Sequence, residues 1–337
     1  MMQFYKILFI NTLILGTLIT ISSYSWFSMW LGLEINLLSI LPLMAGPKNL
    51  YPSEAAMKYF ITQALASLIL LFTIIITMNF KEFLPQNSSN LLMMILNSSL
   101  FLKMGAAPFH AWFPEVMEGL NWGNCLIMLT WQKIAPMVIL MYNLNMTFFI
   151  SWIIIISSLI GGILGLNQIS LRKIMAYSSI NHIAWMLASM MNIKMIWFLY
   201  FIIYFIINAN LIMIFWYFNI YFTNQLFMIF NSNKLFSFFF SMNFLSLGGL
   251  PPFLGFLPKW LTVHSLVSNK FYALSLILIV STLITLYFYV RLTFSAFMIT
   301  KMESTLKFKI KNKFMVMLFN FAALSGLVSC TLLLNIY

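Results

Sequence analysis

Four ionisable side chains lie in the middle of apolar stretches. They are Glu34 in Trp30-Leu-Gly-Leu-Glu34-Ile-Asn36, Lys103 after Asn97-Ser-Ser, Lys133 in Trp131-Gln-Lys133-Ile-Ala-Pro136, and Lys259 in Pro258-Lys259-Trp260. A charge at the centre of a bilayer costs about 2.5–3.5 kcal/mol by insertion scales. One lysine can snorkel to an interface, but three lysines and a glutamate at mid-span point to a shared polar interior. The chemistry open to such a set is proton exchange, because an ammonium and a carboxylate each hold or release one proton. Glu34 has a plainer alternative as a structural counter-ion. Arg291, nearer a helix end, reads as a snorkelling anchor.

The three histidines carry a weaker signal. His182 follows Ser178-Ser179-Ile-Asn181 and is placed to relay protons; a hydrogen-bonded structural histidine fits the same pattern. His110 lies in a Gly/Pro-rich segment, and His264 follows Lys259 by five residues. Cys125 and Cys330 are far apart, lack metal-ligand spacing, and read as small packing residues. No run of residues has the spacing of a catalytic triad, zinc site, phosphate loop or haem-ligand pair. The expectation is therefore a chain with no metal and no cofactor of its own.

Two segments must position these groups. Gly105-Ala-Ala-Pro108-Phe109-His110-Ala-Trp112-Phe-Pro114 and Gly249-Leu-Pro-Pro252-Phe253-Leu-Gly-Phe-Leu-Pro258 share glycine, Pro-Phe and proline at identical spacing. Each interrupts a bilayer-length apolar run, and each has a lysine beside it, Lys103 before the first and Lys259 after the second. Glycine and proline free backbone carbonyls, and unwound backbone at membrane depth is tolerated only inside protein or beside water. A pair of such segments points to a transport site built on internal repeats. Two ordinary proline kinks are the simpler alternative.

The chain has 337 residues, 62% hydrophobic and 7% charged, which excludes a water-facing globular surface. A window of about 20 residues predicts an all-α, polytopic membrane protein of about eleven transmembrane helices with short connections. The interrupted spans are the fourth, at about 90–112, and the ninth, at about 236–266; the last is at about 314–335. Residues 1–337 read as one membrane-embedded domain, with a first repeat at about 90–220 and a second at about 236–337. Eleven loop lysines and arginines on the N-terminal side oppose Lys81, Lys194 and Lys270, placing the N-terminus on the positive-inside face. Spans four and nine then run in opposite directions, as inverted repeats require. The net charge is +12, and the one basic loop cluster, Lys301 to Lys313 with five lysines and Glu303, suits lipid headgroups; nucleic-acid binding is not expected.

The Glu34, Lys103 and Lys133 segments, Leu171-Arg-Lys173-Ile-Met-Ala-Tyr-Ser-Ser-Ile-Asn-His182, and Gly-Gly249-Leu-Pro-Pro-Phe-Leu-Gly-Phe-Leu-Pro-Lys259-Trp together resemble the NADH-ubiquinone oxidoreductase chain 2 family. These are mitochondrially encoded, antiporter-like membrane-arm subunits of respiratory complex I. The resemblance is strongest from Trp30 to Trp260 and closest to the insect form. It implies two inverted five-helix repeats with discontinuous helices, and proton translocation coupled to quinone reduction elsewhere in the complex. By motif position it assigns Glu34 and Lys103 to a glutamate–lysine pair, Lys133 to a central lysine and Lys259 to a terminal lysine. His110 and His182 fall on the same hydrophilic axis.

The resemblance also implies the mitochondrial inner membrane, with the N-terminus on the matrix side. The partners implied are other membrane-arm subunits and phospholipids such as cardiolipin, with no homo-oligomer. NADH, FMN, iron-sulfur clusters and ubiquinone belong to the complex as a whole. In that reading Lys103 holds its proton while ionised Glu34 is beside it, and losing the contact sends the proton toward Lys133. A free-standing cation/proton antiporter of the same ancestry would use the same residues. A passive spacer between subunits would need none of them.

Overall fold

The computed structural model describes residues 4–46, 50–79, 86–232, 234–251 and 253–297. The last expected span, the Lys301–Lys313 connector, Cys330 and Pro252 lie outside the described residues. Among the described residues the regular structure is helical, apart from an isolated antiparallel bridge between Ser170 and Phe222. Six helical stretches among the described residues are long and apolar enough to cross a bilayer, where a helix satisfies its own backbone. Buried hydroxyls such as Thr17, Ser39, Thr73 and Ser99 donate to the carbonyl three residues back, so their burial leaves no donor unmet.

The chain divides into two compact units, Met1–Ile156 and Ser157–Tyr337. In the first, α1 (Phe4–Ser22) packs on α2 (Trp26–Met44), which begins at Ser25, whose side chain accepts from Ser28 N–H. α3 (Leu50–Asn79) packs against α2, α4 (Gln86–Met104) and α5 (Trp112–Gly119). α6 (Trp122–Leu129) and α7 (Trp131–Met141) follow, and α7 packs on α4. α8 (Thr147–Ile163) contains the division between the units.

In the second unit α9 (Leu171–Asn192) packs on α10 (Lys194–Phe218), which ends at Asn219 in the left-handed conformation with φ 52°. α11 (Thr223–Ser232), α12 (Lys234–Gly248), α13 (Phe256–Ser268) and α14 (Tyr272–Phe297) complete it. α9, α10 and α14 surround the α12–α13 break.

The fourth expected span is indeed broken, between α4 and α5, and the ninth between α12 and α13. The Lys133 segment is interrupted as well. Pro136 sits inside α7, and the interruption falls instead at Thr130, whose φ of −118° and ψ of −72° leave the helix. Thr130 hands its hydroxyl back to Leu126 O at 2.6 Å, so a side chain takes a helical carbonyl at the join. The short helix α11, with its Gln225 carbonyl oxygen accepting from Tyr221 and Phe222 N–H, has no counterpart in the hydropathy reading.

Candidate functional site

The first break is a backbone motif. Gly105 has φ +74°, a conformation that side chains with a Cβ adopt at a steric cost. Its N–H donates to Leu102 O at 3.2 Å and Ala106 N–H donates to Phe101 O at 3.0 Å. Those two bonds are the Schellman ending of a helix. The chain turns and re-enters helix at α5, where Phe113 N–H donates to His110 O at 2.9 Å. Side chains meet the remaining acceptors: the Trp112 indole donates to Leu102 O at 3.1 Å and the Gln63 amide to Lys103 O at 3.3 Å. His110 is half-buried in the break, with Nδ1 3.3 Å from Pro108 O.

Lys103 is buried and borders a cavity with room for about one water molecule, lined also by Leu33, Asn36, Leu37, Tyr59, Gln63, Gln132 and Pro136. The polar groups of that wall are chained. Tyr59 O–H donates to Gln132 Oε1 at 3.3 Å, and Gln132 Nε2 donates to Asn36 Oδ1 at 2.8 Å. Glu34 lies between the lining residues Leu33 and Asn36 on α2, close enough for its charge to bear on Lys103 and Tyr59. Among the described residues no ion pair joins Glu34 to Lys103 directly. One carboxylate oxygen of Glu34 is buried without a hydrogen bond.

Lys133 is 1% exposed, and its ammonium lies over the Phe113 ring at 5.5 Å from the centroid. Phe113 also packs on Gly105, since a Cβ at Gly105 would stand 3.2 Å from Phe113 Cβ. Lys133 therefore reaches the first break through one aromatic ring. On the surface of this unit Lys58 pairs with Glu54 and Glu115, each at 3.1 Å, tying α3 to α5.

The second break repeats three backbone bonds of the first. Gly249 has φ +76°; its N–H donates to Ser246 O at 3.0 Å and Leu250 N–H to Leu245 O at 3.3 Å. Helix resumes with Leu257 N–H on Leu254 O at 3.3 Å, the equivalent of Phe113 on His110. The donor to the last carbonyls differs. Lys259 Nζ donates to Gly248 O at 2.8 Å and to Leu247 O at 3.4 Å, and lies 5.8 Å from the Trp185 ring centroid. An ammonium at the C-terminal end of α12 also meets the negative end of the helix dipole. In motif position Lys259 replaces Glu115 of the first segment.

His182 stands one turn before Trp185 on α9. Its Nδ1 is 2.8 Å from Tyr200 Oη, and the Tyr204 ring is 5.1 Å away. The Asn208 amide donates to the Tyr204 backbone carbonyl at 3.0 Å, and the hydroxyls of Ser178 and Ser179 donate to Met175 O and Ala176 O. A second water-sized cavity is lined by His182, Tyr200, Ile203, Tyr204, Ile207, Ser246, Leu247, Gly255 and Pro258, so His182 and Leu247 border one space.

The first unit thus gathers Glu34, Lys103, Lys133 and His110 around one break, and the second gathers His182 and Lys259 around the other. His264 lies on α13 beyond Lys259. Sequence reasoning passed over Tyr59, Gln63, Gln132, Trp185 and Tyr200. Tyr59, Gln63 and Ser67 recur every fourth residue of α3, a polar stripe that helical periodicity exposes. Among the described residues no group of three or more histidine, cysteine or acidic side chains is placed to hold a metal.

Residues 23–285 match the family described as NADH:quinone oxidoreductase/Mrp antiporter, transmembrane. NADH-ubiquinone oxidoreductase chain 2 of Anopheles gambiae is 49% identical over 336 residues, covering 97% of each chain. The same protein of Aedes aegypti is 50% identical over 331 residues, again 97% of each. A chain of respiratory complex I from Thermus thermophilus with bound aureothin superposes with a TM-score of 0.86 at 22% identity, over 97% of this chain and 79% of that one. At that identity the likeness is one of fold.

Proposed function

We propose that this chain, which belongs to the NADH:quinone oxidoreductase/Mrp antiporter transmembrane family, is a proton-translocating membrane subunit of NADH:ubiquinone oxidoreductase. The observation that carries the reading is the burial of three lysines, Lys103, Lys133 and Lys259, beside two matched helix breaks. A buried ammonium is costly unless its environment is built for it, and structural packing alone would use apolar residues. Each lysine exchanges one proton between ammonium and amine, so no bond other than N–H forms or breaks. Glu34 biases Lys103 through its charge, and His110 and His182 are the further proton-holding groups of the two units. The energy comes from quinone reduction elsewhere in the assembly.

The same reading places the protein in the mitochondrial inner membrane among other membrane-arm subunits, with its N-terminus on the matrix side, where the loop lysines and arginines concentrate. Anionic phospholipid is the natural partner for those loops. The two repeats proposed at about 90–220 and about 236–337 are supported by the hydrogen bonds that the breaks share. A free-standing antiporter would use the same residues; relatives at 49% and 50% identity that are NADH-ubiquinone oxidoreductase chains favour the complex subunit.

Lys133→Met tests the reading, because methionine keeps the bulk and removes the proton site. The variant assembly is expected to form with normal subunit content while proton pumping in reconstituted vesicles falls at least tenfold, with NADH oxidation falling alongside if coupling is tight. Unchanged pumping and turnover would make Lys133 a packing residue and remove the centre of the proposal.

A further inference from the structure

We propose that Tyr59 is a positioning residue for proton transfer at Lys103, acting through an oriented chain of neutral oxygens that takes the place of a contacting counter-ion. The inference rests on the reading of Lys103 as a proton carrier. Lys103 is 6% exposed, and its ammonium has three N–H donors to place. Among the described residues it has neither a direct ion pair nor a hydrogen bond from its side chain to protein. What it borders is the small cavity walled by Tyr59, Gln132 and Asn36.

The hydrogen bonds of that wall fix which way each group turns. Tyr59 commits its only proton to Gln132 Oε1, so the lone pairs of its oxygen remain for another donor. Gln132 is engaged at both ends, its amide oxygen accepting from Tyr59 and its nitrogen donating to Asn36. Tyr59 Oη, Gln132 Oε1 and Asn36 Oδ1 each engage one donor and keep acceptor capacity. The ring of Tyr59 is fixed independently, packed at 5.8 Å from the Trp112 ring at the break.

A wall of neutral acceptors solvates an ammonium, directly or through one cavity water, without holding it as tightly as a contacting carboxylate would. The charge of Glu34 reaches the site from α2 at longer range and reaches Tyr59 as well. The proton of Lys103 is thereby supported and still able to leave. Tyr59 supplies the acceptor whose direction depends on Gln132, and Gln132 is the neighbour of Lys133 along α7.

The test uses the complete NADH-oxidising membrane assembly in vesicles. Tyr59→Phe keeps the ring against Trp112 and deletes the oxygen. With subunit content unchanged, pumping is expected to slow about tenfold, the scale of losing one hydrogen bond to a charged group. The solvent deuterium isotope effect on turnover should rise as proton transfer becomes limiting, a readout that loss of packing does not move. In a Lys103→Met background Tyr59→Phe should cause no further loss of pumping.

Gln132→Met, which releases the Tyr59 hydroxyl to rotate, serves as the second variant and should give a smaller loss of the same kind. Wild-type pumping with an unchanged isotope effect in assembled Tyr59→Phe overturns the proposal, as does an equal loss with and without Lys103. Failure of both variants to assemble also overturns it, since the wall is then a packing element. Undiminished pumping in Lys103→Met alone would instead strike the proposed function.

Discussion

At the break between α4 and α5, uncharged side chains meet the last carbonyls: the indole of Trp112 serves Leu102 O and the amide of Gln63 serves Lys103 O. At the break between α12 and α13, the ammonium of Lys259 serves Leu247 O and Gly248 O. The backbones agree down to the glycine φ, +74° against +76°, and to three matched hydrogen bonds. The difference lies in the lysine. Lys103 stands before its break and keeps its ammonium in a cavity of neutral oxygens, whereas Lys259 stands after its break and uses its charge as the cap. A helix broken in the membrane must satisfy its carbonyls locally. Two solutions to that one requirement leave two lysines in unlike surroundings: under the proposed function, one would exchange a proton without moving backbone and the other would couple its proton to the end of a helix.

The largest effect that separates the breaks is steric. Gly255 sits against Ser246 O so closely that a Cβ would overlap the carbonyl, while the equivalent position in the first motif is Ala111 and already carries one. Gly255→Ala should therefore destabilise the protein by about 3 kcal/mol or more through a clash that backbone must absorb. Ala111→Gly should change stability by about 1 kcal/mol or less. Thermal denaturation of the assembly and its subunit content measure both. Equal tolerance of the two substitutions would mean that the second break is looser than its hydrogen bonds imply.

The next effect is electrostatic. Lys259→Met leaves two buried carbonyls without their donor, at about 1–3 kcal/mol each for an unmet buried acceptor, with relaxation bringing the sum to about 2–3 kcal/mol. Lys103→Met removes no helix cap and exchanges similar volumes, so its effect on stability should stay below about 1.5 kcal/mol. Both should lose pumping. A pairing of stability with pumping loss at Lys259, and of pumping loss alone at Lys103, is the signature to look for in parallel denaturation and vesicle assays. If Lys103→Met proves the more destabilising, the division of duties drawn between the two lysines is reversed.

Much of this was legible before any coordinates. The repeated Gly–Pro-Phe–Pro spacing located both breaks, because glycine at positive φ and proline without N–H act on the backbone regardless of tertiary context. The mid-span lysines were equally plain, since hydropathy makes an intramembrane charge conspicuous. What stayed hidden depends on side chains from distant segments. Gln63 caps a helix forty residues away, and nothing in its own surroundings announces that partner. The interruption at Thr130 is hidden for a related reason: the proline that marks this segment, Pro136, is carried inside α7, and the opening lies six residues upstream. The Tyr59–Gln132–Asn36 chain joins three helices, and sequence reports only that each carries a polar residue.

The smallest effect concerns the neutral cap, and it is the one that sharpens the comparison most. Trp112 N–H donates to Leu102 O at 3.1 Å, while its ring packs on Tyr59 and edge-on to Phe113 at 5.4 Å. Leu102 O keeps a second donor, Gly105 N–H, when the indole is gone. Trp112→Phe retains an aromatic ring for both contacts and deletes one neutral hydrogen bond, for about 1 kcal/mol of stability. Because no charge is removed and Gln63 still serves Lys103 O, pumping should stay within about twofold of the parent. That outcome contrasts with Lys259→Met, where the cap and the proton are the same group. If instead Trp112→Phe lowers pumping as deeply as Lys259→Met with subunit content intact, closure of the first break is itself part of proton transfer, and the neutral cap is as functional as the charged one.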